Sequence, residues 1–507
     1  MPLRRRLKPD RVAPPANAAP DSYDEIPYPG AAFPQTHPDR LATLARLYGG
    51  EPRDVEQCRV LELGCGDGGN LIPMAHGLPG SSFLGIDLNA AAIERGRSTI
   101  AALGLSNVEL RVGDIAAQEP RSLGRFDHVI AHGVYSWVPA RVRTALLELC
   151  AACLERDGVA FVSFNALPGG HLRRALREVL HSEVEAIPDP GARVEAARAT
   201  LRRLQKRAPY DGEIGRELQR ILDAPDGVVY HDTLAATNFD QAISGFAADV
   251  ATAGLRYLCD AELHEGADAA AEAIAGELDV AAGDRLAREQ YLDNLRLRMF
   301  RQALLVRADA HAGEQLDARN VAALRVASSL RPARKPRLDE RAVDEFRGAK
   351  GGTLRIDHPF VKAALLVLGE VWPRSLSFAE LAAAAAGRLQ APDGQRDDTT
   401  LAQALLEAYR RRAVELHAWG SRAVAEPGER PVASALARHQ AAVGDTVATL
   451  RHQTIRLEDE RARRLVTLLD GTRDRDALVE ELGLDQRGAR KLRERLDQLA
   501  ALGLLEA

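Results

Sequence analysis

Residues 60–70 read VLELGCGDGGN, from Val60 to Asn70. An apolar run that breaks into closely spaced glycines and then into a helical pattern marks a strand feeding a helix in a nucleotide-binding α/β sheet. The turn has two spellings. Gly64, Gly66 and Gly69 give G-x-G-x-x-G, the turn that receives a dinucleotide pyrophosphate; Gly64, Gly66 and Gly68 behind Glu62 give E-x-G-x-G-x-G, which suits a different nucleoside. The glycines alone do not choose between them.

The charges do. A dinucleotide brings a doubly negative pyrophosphate, which would meet Glu62 two residues before the first glycine and Asp67 inside the loop. Facing those carboxylates without solvent would cost it several kcal/mol. S-adenosylmethionine brings an ammonium, a sulfonium and a single carboxylate, so the same acids find a cationic partner. The glycines let the backbone approach it, with Cys65 and Asn70 completing the loop, and the helix start can receive its carboxylate. Asp87 ends the next apolar run, GIDL, where a carboxylate accepts from both ribose hydroxyls, and Leu88 follows it in the same site. Asp114 in VGDI ends the third run; its carboxylate suits the adenine amino group, and the Ile115 amide suits a ring nitrogen. Three acids at three successive strand ends make S-adenosylmethionine the expected cofactor.

Outward from the loop, strand-like runs CRVLELG, SFLGIDL, VELRVGD, FDHVIAHG and GVAFVSFN alternate with helical patterns between residues 58 and 165. That alternation predicts a doubly wound, seven-stranded Rossmann-like α/β sheet, two of whose strands come from GLRYLCDAEL (254–263) and FRQALLVRAD (300–309). Upstream, Thr36 or His37 can cap a helix holding Pro38 and Asp39 in its first turn. The expected division is a flexible tail (1–21), a cofactor-binding core (22–180), a helical insertion that completes the sheet (181–310), a linker (311–340) and two mostly helical, winged-helix-like modules (341–425 and 426–507). The charged, proline-broken RPARKPRLDE motivates the linker.

Composition removes several function classes. The formal charge of −5 over 507 residues leaves no overall basic footprint, so nucleic acid is not an expected partner. Arg410, Arg411 and Arg412 could end a recognition helix, but Glu407 and Glu415 flank them. No run approaches the roughly 18 apolar residues of a membrane span, and the basic start lacks the apolar core of a secretory signal, so the cytoplasm is the expected compartment. Five scattered cysteines form no disulfide framework, and the Cys150–Cys153 pair lies in a helical run without a second pair, as core packing rather than metal.

At the glycine loop, Asp87 and Asp114 the sequence resembles a class I S-adenosylmethionine-dependent methyltransferase. It is similar in particular to the bacterial branch with a methyltransferase regulatory domain, which includes rickettsial lysine methyltransferases acting on outer-membrane proteins. PYPGAAFPQTHPDRLATLA, IAHGVYSWVP, YHDTLAATNF, EQYLDNLRLRMFRQALL and LLDGTRDRDAL carry the resemblance over nearly the whole chain. It implies methyl transfer to a protein lysine, with a small-molecule methyltransferase or a cofactor-binding regulator without turnover as alternatives, a protein substrate, and a homodimer built on the helical region. Tyr135 and Trp137, after the fourth strand, are then the expected acceptor wall, with His132, Asn165 and His171 as polar candidates. One segment departs: where the branch has Y-N-T-Y-P-G-W-H, this chain reads FNALPGGH from Phe164 to His171, without a tyrosine and a tryptophan.

Overall fold

The computed structural model describes residues 26–207, 212–263, 285–339, 341–348, 353–389 and 396–506. The tail expected at 1–21 lies outside them. The chain divides into two compact units, Met1–Pro29 with Leu176–Ala236, and Gly30–Ala175 with Thr237–Ala507.

The larger unit is built on an eight-stranded sheet. Its strands are β1 (Arg59–Leu63), β2 (Ser82–Asp87), β3 (Val108–Val112), β4 (Phe126–Ala131), β5 (Leu154–Ala166), β6 (Asp240–Gln241), β7 (Leu255–Asp260) and β8 (Phe300–Arg307). Their order is β3-β2-β1-β4-β5-β8-β7, with β6 beside the end of β5. β1 to β5 pair in parallel, and β8 is antiparallel to β5 and to β7. Parallel neighbours need a crossover, which the helices Leu71–Gly77, Ala90–Leu103 and Ala140–Cys153 supply at the places their periodicity predicts. Both predicted late strands joined the sheet. The two-residue β6 was not foreseen: Asp240 and Gln241 occupy the slot beside Asn165 and Ala166, past the point where β4 has ended.

The central strands are buried on both faces, so alternation sorts their side chains between two cores. Val60, Ile130, Val159 and Phe161 enter one apolar cluster, and Leu61, Leu63, Val129, Ala131, Val162 and Phe164 the other. By the same period of two, Glu62, His132, Ser163 and Asn165 belong to the first face. Cys150 and Cys153 are free and fully buried, filling core space as expected.

Residues 311–340, expected as a linker, are built into the fold. Arg325–Ala327 is the central strand of a three-stranded sheet with Leu376–Ser377 and Glu415–His417, and Arg331–Pro332 edges another with Asp344–Arg347 and Thr353–Ile356. Leu324, Val326, Ser328 and Leu330 alternate and are all buried, a strand pattern outweighed in the composition by the arginines that follow. Three helices, Pro359–Val371, Phe378–Leu389 and Asp398–Arg410, pack on this module. Lys362 is fully buried in its core, donating to the Arg337 and Ala342 carbonyls and to Asp344 at 2.7 Å.

The C-terminal module has its own apolar core under the helices Ala435–Val443, Glu460–Leu468, Arg475–Glu481 and Gln486–Ala501. A hairpin of Thr446–Ala448 and Thr454–Arg456 projects from it. The mostly helical winged-helix character expected of this module holds. Arg410 and Arg411 share Glu407, and Arg412 pairs with Glu262, so all three arginines have acidic partners within the chain.

The smaller unit is helical, with Pro190–Arg207 and Gly212–Asp223 packed through Val194, Ala197, Leu201, Leu218 and Ile221. Among the described residues, no helix is long and apolar enough to cross a membrane.

Candidate functional site: an acidic cradle at the ends of β1, β2 and β3

The loop after β1 turns at Gly64, Gly66 and Gly68, which have φ of 75°, 55° and 77°. Beyond the positive φ they share, two of these positions differ in their surroundings. A Cβ on Gly68 would sit 3.1 Å from Ile72 and Leu110, closing the loop onto its helix. A Cβ on Gly66 would meet nothing within 4 Å, because the loop there lines open space. The Gly64 amide donates to the Ile86 carbonyl at 2.8 Å, and Asp67 Oδ1 accepts from the Gly69 amide at 3.0 Å. Cys65 is buried, with its thiol against Gly85.

The acids close around that space. Asp87 accepts the Gly66 amide on Oδ2 and the Asn89 amide on Oδ1, both at 2.8 Å, leaving each oxygen a second lone pair for a ligand hydroxyl. Asp114 caps the following turn through Ala116 N at 2.9 Å, Leu88 is an exposed apolar side chain beside Asp87, and Ile115 packs on the second core. Glu62 is 4% exposed; Oε1 accepts from Asn70 Nδ2 at 2.7 Å, while Oε2 is buried without a hydrogen-bond partner. Burial pushes the Glu62 carboxyl up to about 8; the Asn70 hydrogen bond opposes this, and the neighbouring Asp87 and Asp67 add to it. Burial also raises Asp67. An orphaned buried carboxylate oxygen among two further acids fits a cationic ligand and repels a pyrophosphate. Glu62 and Asp67 would face the charged amino-acid end of S-adenosylmethionine, Asp87 its ribose, and Asp114 with Ile115 its adenine.

At the ends of β4 and β5 the candidates separate by face. His132 Nδ1 lies 3.0 Å from Ser163 Oγ, and its ring meets Phe33 edge-on at 4.3 Å, with Phe161 and Phe300 at 5.5 and 6.2 Å. Burial lowers its pKa to about 4, so the ring is neutral at pH 7. Asn165 is buried, its amide held by Ser136 Oγ at 2.7 Å and its side chain by Asn238 at 2.7 Å. Tyr135 instead packs into the second core. It is 1% exposed, its ring lies against Phe164, Phe239 and Phe246, and its hydroxyl meets Gln241 and Asp249. Trp137 is half-buried in the same turn, and His171 is exposed at the start of the helix Gly170–Val184. Gly170, which stands where the branch has tryptophan, has the Asp240 carboxylate against it. Asp240 is buried; Oδ2 accepts from Arg174 at 3.0 Å and Oδ1 has no hydrogen-bond partner.

Asn70, expected to complete the glycine loop, has a wider set of bonds than that expectation held. Asn70 occupies the N-cap of the helix Leu71–Gly77 but makes no capping bond, because its side chain is spent elsewhere. Its Oδ1 accepts from the Phe33 amide at 3.0 Å and from His452 Nε2 at 2.9 Å; its Nδ2 donates to Thr36 Oγ1 at 3.0 Å as well as to Glu62. His37, expected as a cap, does accept the Asp39 amide, and its ring stacks on Trp419 at 5.8 Å. The place of Asn70 in the cofactor loop was legible; its bonds to Phe33, Thr36 and His452 were not.

Residues 61–160 match the family described as methyltransferase domain, residues 225–307 the predicted methyltransferase regulatory domain, and residues 429–495 the PKMT C-terminal winged helix domain. Protein RP028 of Rickettsia prowazekii is 34% identical over 43% of this chain and 88% of its own length. Protein RP789 of the same organism is 29% identical over 72% of this chain and 68% of its own. The solved structure of PKMT2 from Rickettsia typhi, 25% identical, covers 94% of this chain and 100% of that one with a TM-score of 0.81; its complex with AdoHcy gives 0.82. An acidic, glycine-lined cradle that suits a sulfonium nucleoside, on a sheet shared with a protein crystallised with AdoHcy, has one reading: the chain belongs to the S-adenosylmethionine-dependent methyltransferases that carry a methyltransferase regulatory domain and a PKMT-type winged helix.

Proposed function

We propose that the acceptor is a lysine side-chain nitrogen of a protein. The observation that carries this reading is the likeness to PKMT2 across 94% of the chain, both C-terminal modules included, because a pocket for a small molecule needs neither. The acceptor end is consistent with it. Asp240 offers a buried carboxylate oxygen to an ammonium, and neutral His132 adds no repelling charge. The aromatic rings around His132 favour the uncharged amine that attacks. Tyr135, held in the second core, supports this end by packing, and in this proposal His132, Asn165 and Asp240 take the acceptor side. When bound, S-adenosylmethionine supplies a methyl group activated by its sulfonium; the protein's part is to align donor and amine and to exclude water.

A cell extract incubated with the protein and a labelled methyl donor tests the acceptor. The expected result is label in protein that acid hydrolysis yields as methyl-lysine. Label in soluble metabolites would favour a small-molecule acceptor, and binding without transfer a cofactor-dependent regulator.

The cradle also predicts a pH dependence. Without ligand, Glu62 titrates near 8 and is mostly protonated at pH 7; beside a cation its pKa falls. Binding therefore releases a proton, and affinity rises with pH. Between pH 5.5 and 6.5, more than a unit below the pKa of about 7.7–8.0 of an α-amino group, the gain approaches about ten-fold per pH unit. Calorimetry in buffers of different ionisation heat should show that release, and Glu62→Gln should bind more weakly with a flat profile. A pH-independent affinity in the unaltered chain would remove Glu62 from the cationic end of the site.

A further inference from the structure

We propose that His452, on the hairpin of the C-terminal module, is a positioning residue of the cofactor site: through Asn70 it holds the Glu62 carboxylate toward the ligand.

The hydrogen bonds around Asn70 assign every partner. The Phe33 amide can only donate, so the atom it meets at 3.0 Å is the Asn70 oxygen. The Thr36 hydroxyl gives its one proton to the Phe33 carbonyl at 2.8 Å, so toward Asn70 it accepts, from Nδ2. The second Nδ2 proton goes to Glu62 Oε1. Thr36 Oγ1 also lies 3.2 Å from Asn70 Oδ1, but its proton is engaged by the Phe33 carbonyl, so the remaining lone pair of Oδ1 takes the nearer donor, His452 Nε2 at 2.9 Å. All four hydrogen-bonding positions of the amide are filled, and the last of them is filled from 382 residues away. Burial keeps the imidazole neutral, and because Asn70 Oδ1 can only accept, the bond between them places its proton on Nε2.

The placement of His452 is not what packing alone would select. It is 4% exposed and has φ of 56°, left-handed backbone that a non-glycine residue enters at a cost of order 1–2 kcal/mol. Nor does the hairpin need His452 to dock. Thr454 Oγ1 accepts the Ala32 amide at 2.7 Å and donates to the Ala32 carbonyl at 3.2 Å, fixing the hairpin to the segment that covers the glycine loop. That segment touches the loop directly, since a Cβ on Gly69 would lie 2.6 Å from Gly30 Cα. Docking thus has Thr454 and the packing of Leu436 and Ala448 on Ala32 and Ile72, while the imidazole, its ring 5.0 Å from that of His37, gives its hydrogen bond to Asn70. Without it, Oδ1 loses one of two donors, the amide can rotate, and Glu62 Oε1 loses the bond that fixes which way its free oxygen points.

Three variants of the full chain separate this role from a structural one. His452→Ala and His452→Gly both remove the donor, and glycine also suits the left-handed turn. Both are expected to raise the calorimetric Kd for S-adenosylmethionine about ten-fold, with kcat at saturating cofactor within about two-fold of the unaltered chain. His452→Gln returns an N–H at similar reach and is expected to bind within about three-fold of the unaltered chain. An unchanged Kd in the alanine or glycine variant overturns the proposal, as does a glutamine variant no better than alanine. The unaltered chain gives a check that does not depend on any variant folding. The imidazole resonances of His452 in nitrogen-labelled protein should shift when S-adenosylhomocysteine is added, and resonances that stay put overturn it too. Binding by the unaltered chain establishes the cofactor separately from the outcome for His452.

Discussion

Gly66→Arg is expected to abolish S-adenosylmethionine binding while leaving the chain folded. The fold tolerates it because nothing lies within 4 Å of a Cβ at this position, so the cost to stability is mainly the 55° φ, about 1–2 kcal/mol for a non-glycine residue. The site does not tolerate it. The new side chain fills the space the loop lines, and its guanidinium finds Glu62, Asp67 and Asp87 already arranged for a cation. An internal cation then competes with the ligand for the same acids at a very high effective concentration. The loss should be roughly a hundred-fold or more, below detection in most titrations. The apo protein should melt within a few degrees of the unaltered chain while losing the thermal shift that S-adenosylhomocysteine produces. Retention of that shift would place the ligand away from the glycine loop.

Arg301→Ala carries the largest expected cost to stability. This side chain is 1% exposed on β8, where its fork grips Asp293 through Nε at 2.7 Å and Nη2 at 2.8 Å. It reaches Asp260 on β7 at 2.6 Å, Glu289 at 2.8 Å and the Tyr257 hydroxyl at 3.2 Å. One arginine thus joins two strands to the helix Arg285–Arg296. Arg298, at 2.9 Å from Asp260 and 3.1 Å from Asp293, is the only other cation paired with these two acids among the described residues. Burial already raises the Asp293 carboxyl against the pull of both arginines. Alanine would leave two buried carboxylates sharing Arg298, a situation that costs about 3–5 kcal/mol when one partner of a buried pair is removed. Arg301→Lys should recover only part, because an ammonium cannot reproduce the two-pronged contact. Urea denaturation checks the magnitude, and hydrogen exchange should localise the loosening to β7 and β8. In register, Arg301 faces Phe164 and Phe300 faces Asn165, so the acceptor end should loosen as well.

The cofactor half of the site was legible because its determinants are local. Glu62, the glycines and Asp67 lie within one short run, Asp87 ends β2, and Asp114 follows β3 by two residues, each strand's pattern being visible in about six residues. The acceptor half was less so. Tyr135 and His132 lie three residues apart in one loop, and proximity in sequence says nothing about which core each will enter. The period of two along β4 and β5 sorts them, but only once the strand ends are known: Ile130 and His132 share a face with Phe161 and Ser163, whereas Tyr135, beyond the strand, folds onto Phe164. The misread linker has a similar cause. Its charges are local and conspicuous, while the strands that make Val326 a central residue, at Leu376 and Leu416, are 50 and more residues away. His452 and Asp240 lay furthest from reach, since neither belongs to a motif and both act through partners that only the folded topology supplies.

The polar cluster around Asn70 also sets a schedule. The glycine loop, the covering segment from Gly30 to His37 and the first strands leave the ribosome early, yet the last donor to Asn70 is encoded 382 residues downstream and the Ala32 clamp 422 residues after its partner. At typical synthesis rates of about 5–20 residues per second, that gap lasts roughly 20–80 s. During that interval the nascent chain carries Glu62 and Asn70 in a half-made pocket, with polar groups that solvent or a chaperone must satisfy. The cofactor cradle is therefore synthesised well before its last hydrogen bond can be made.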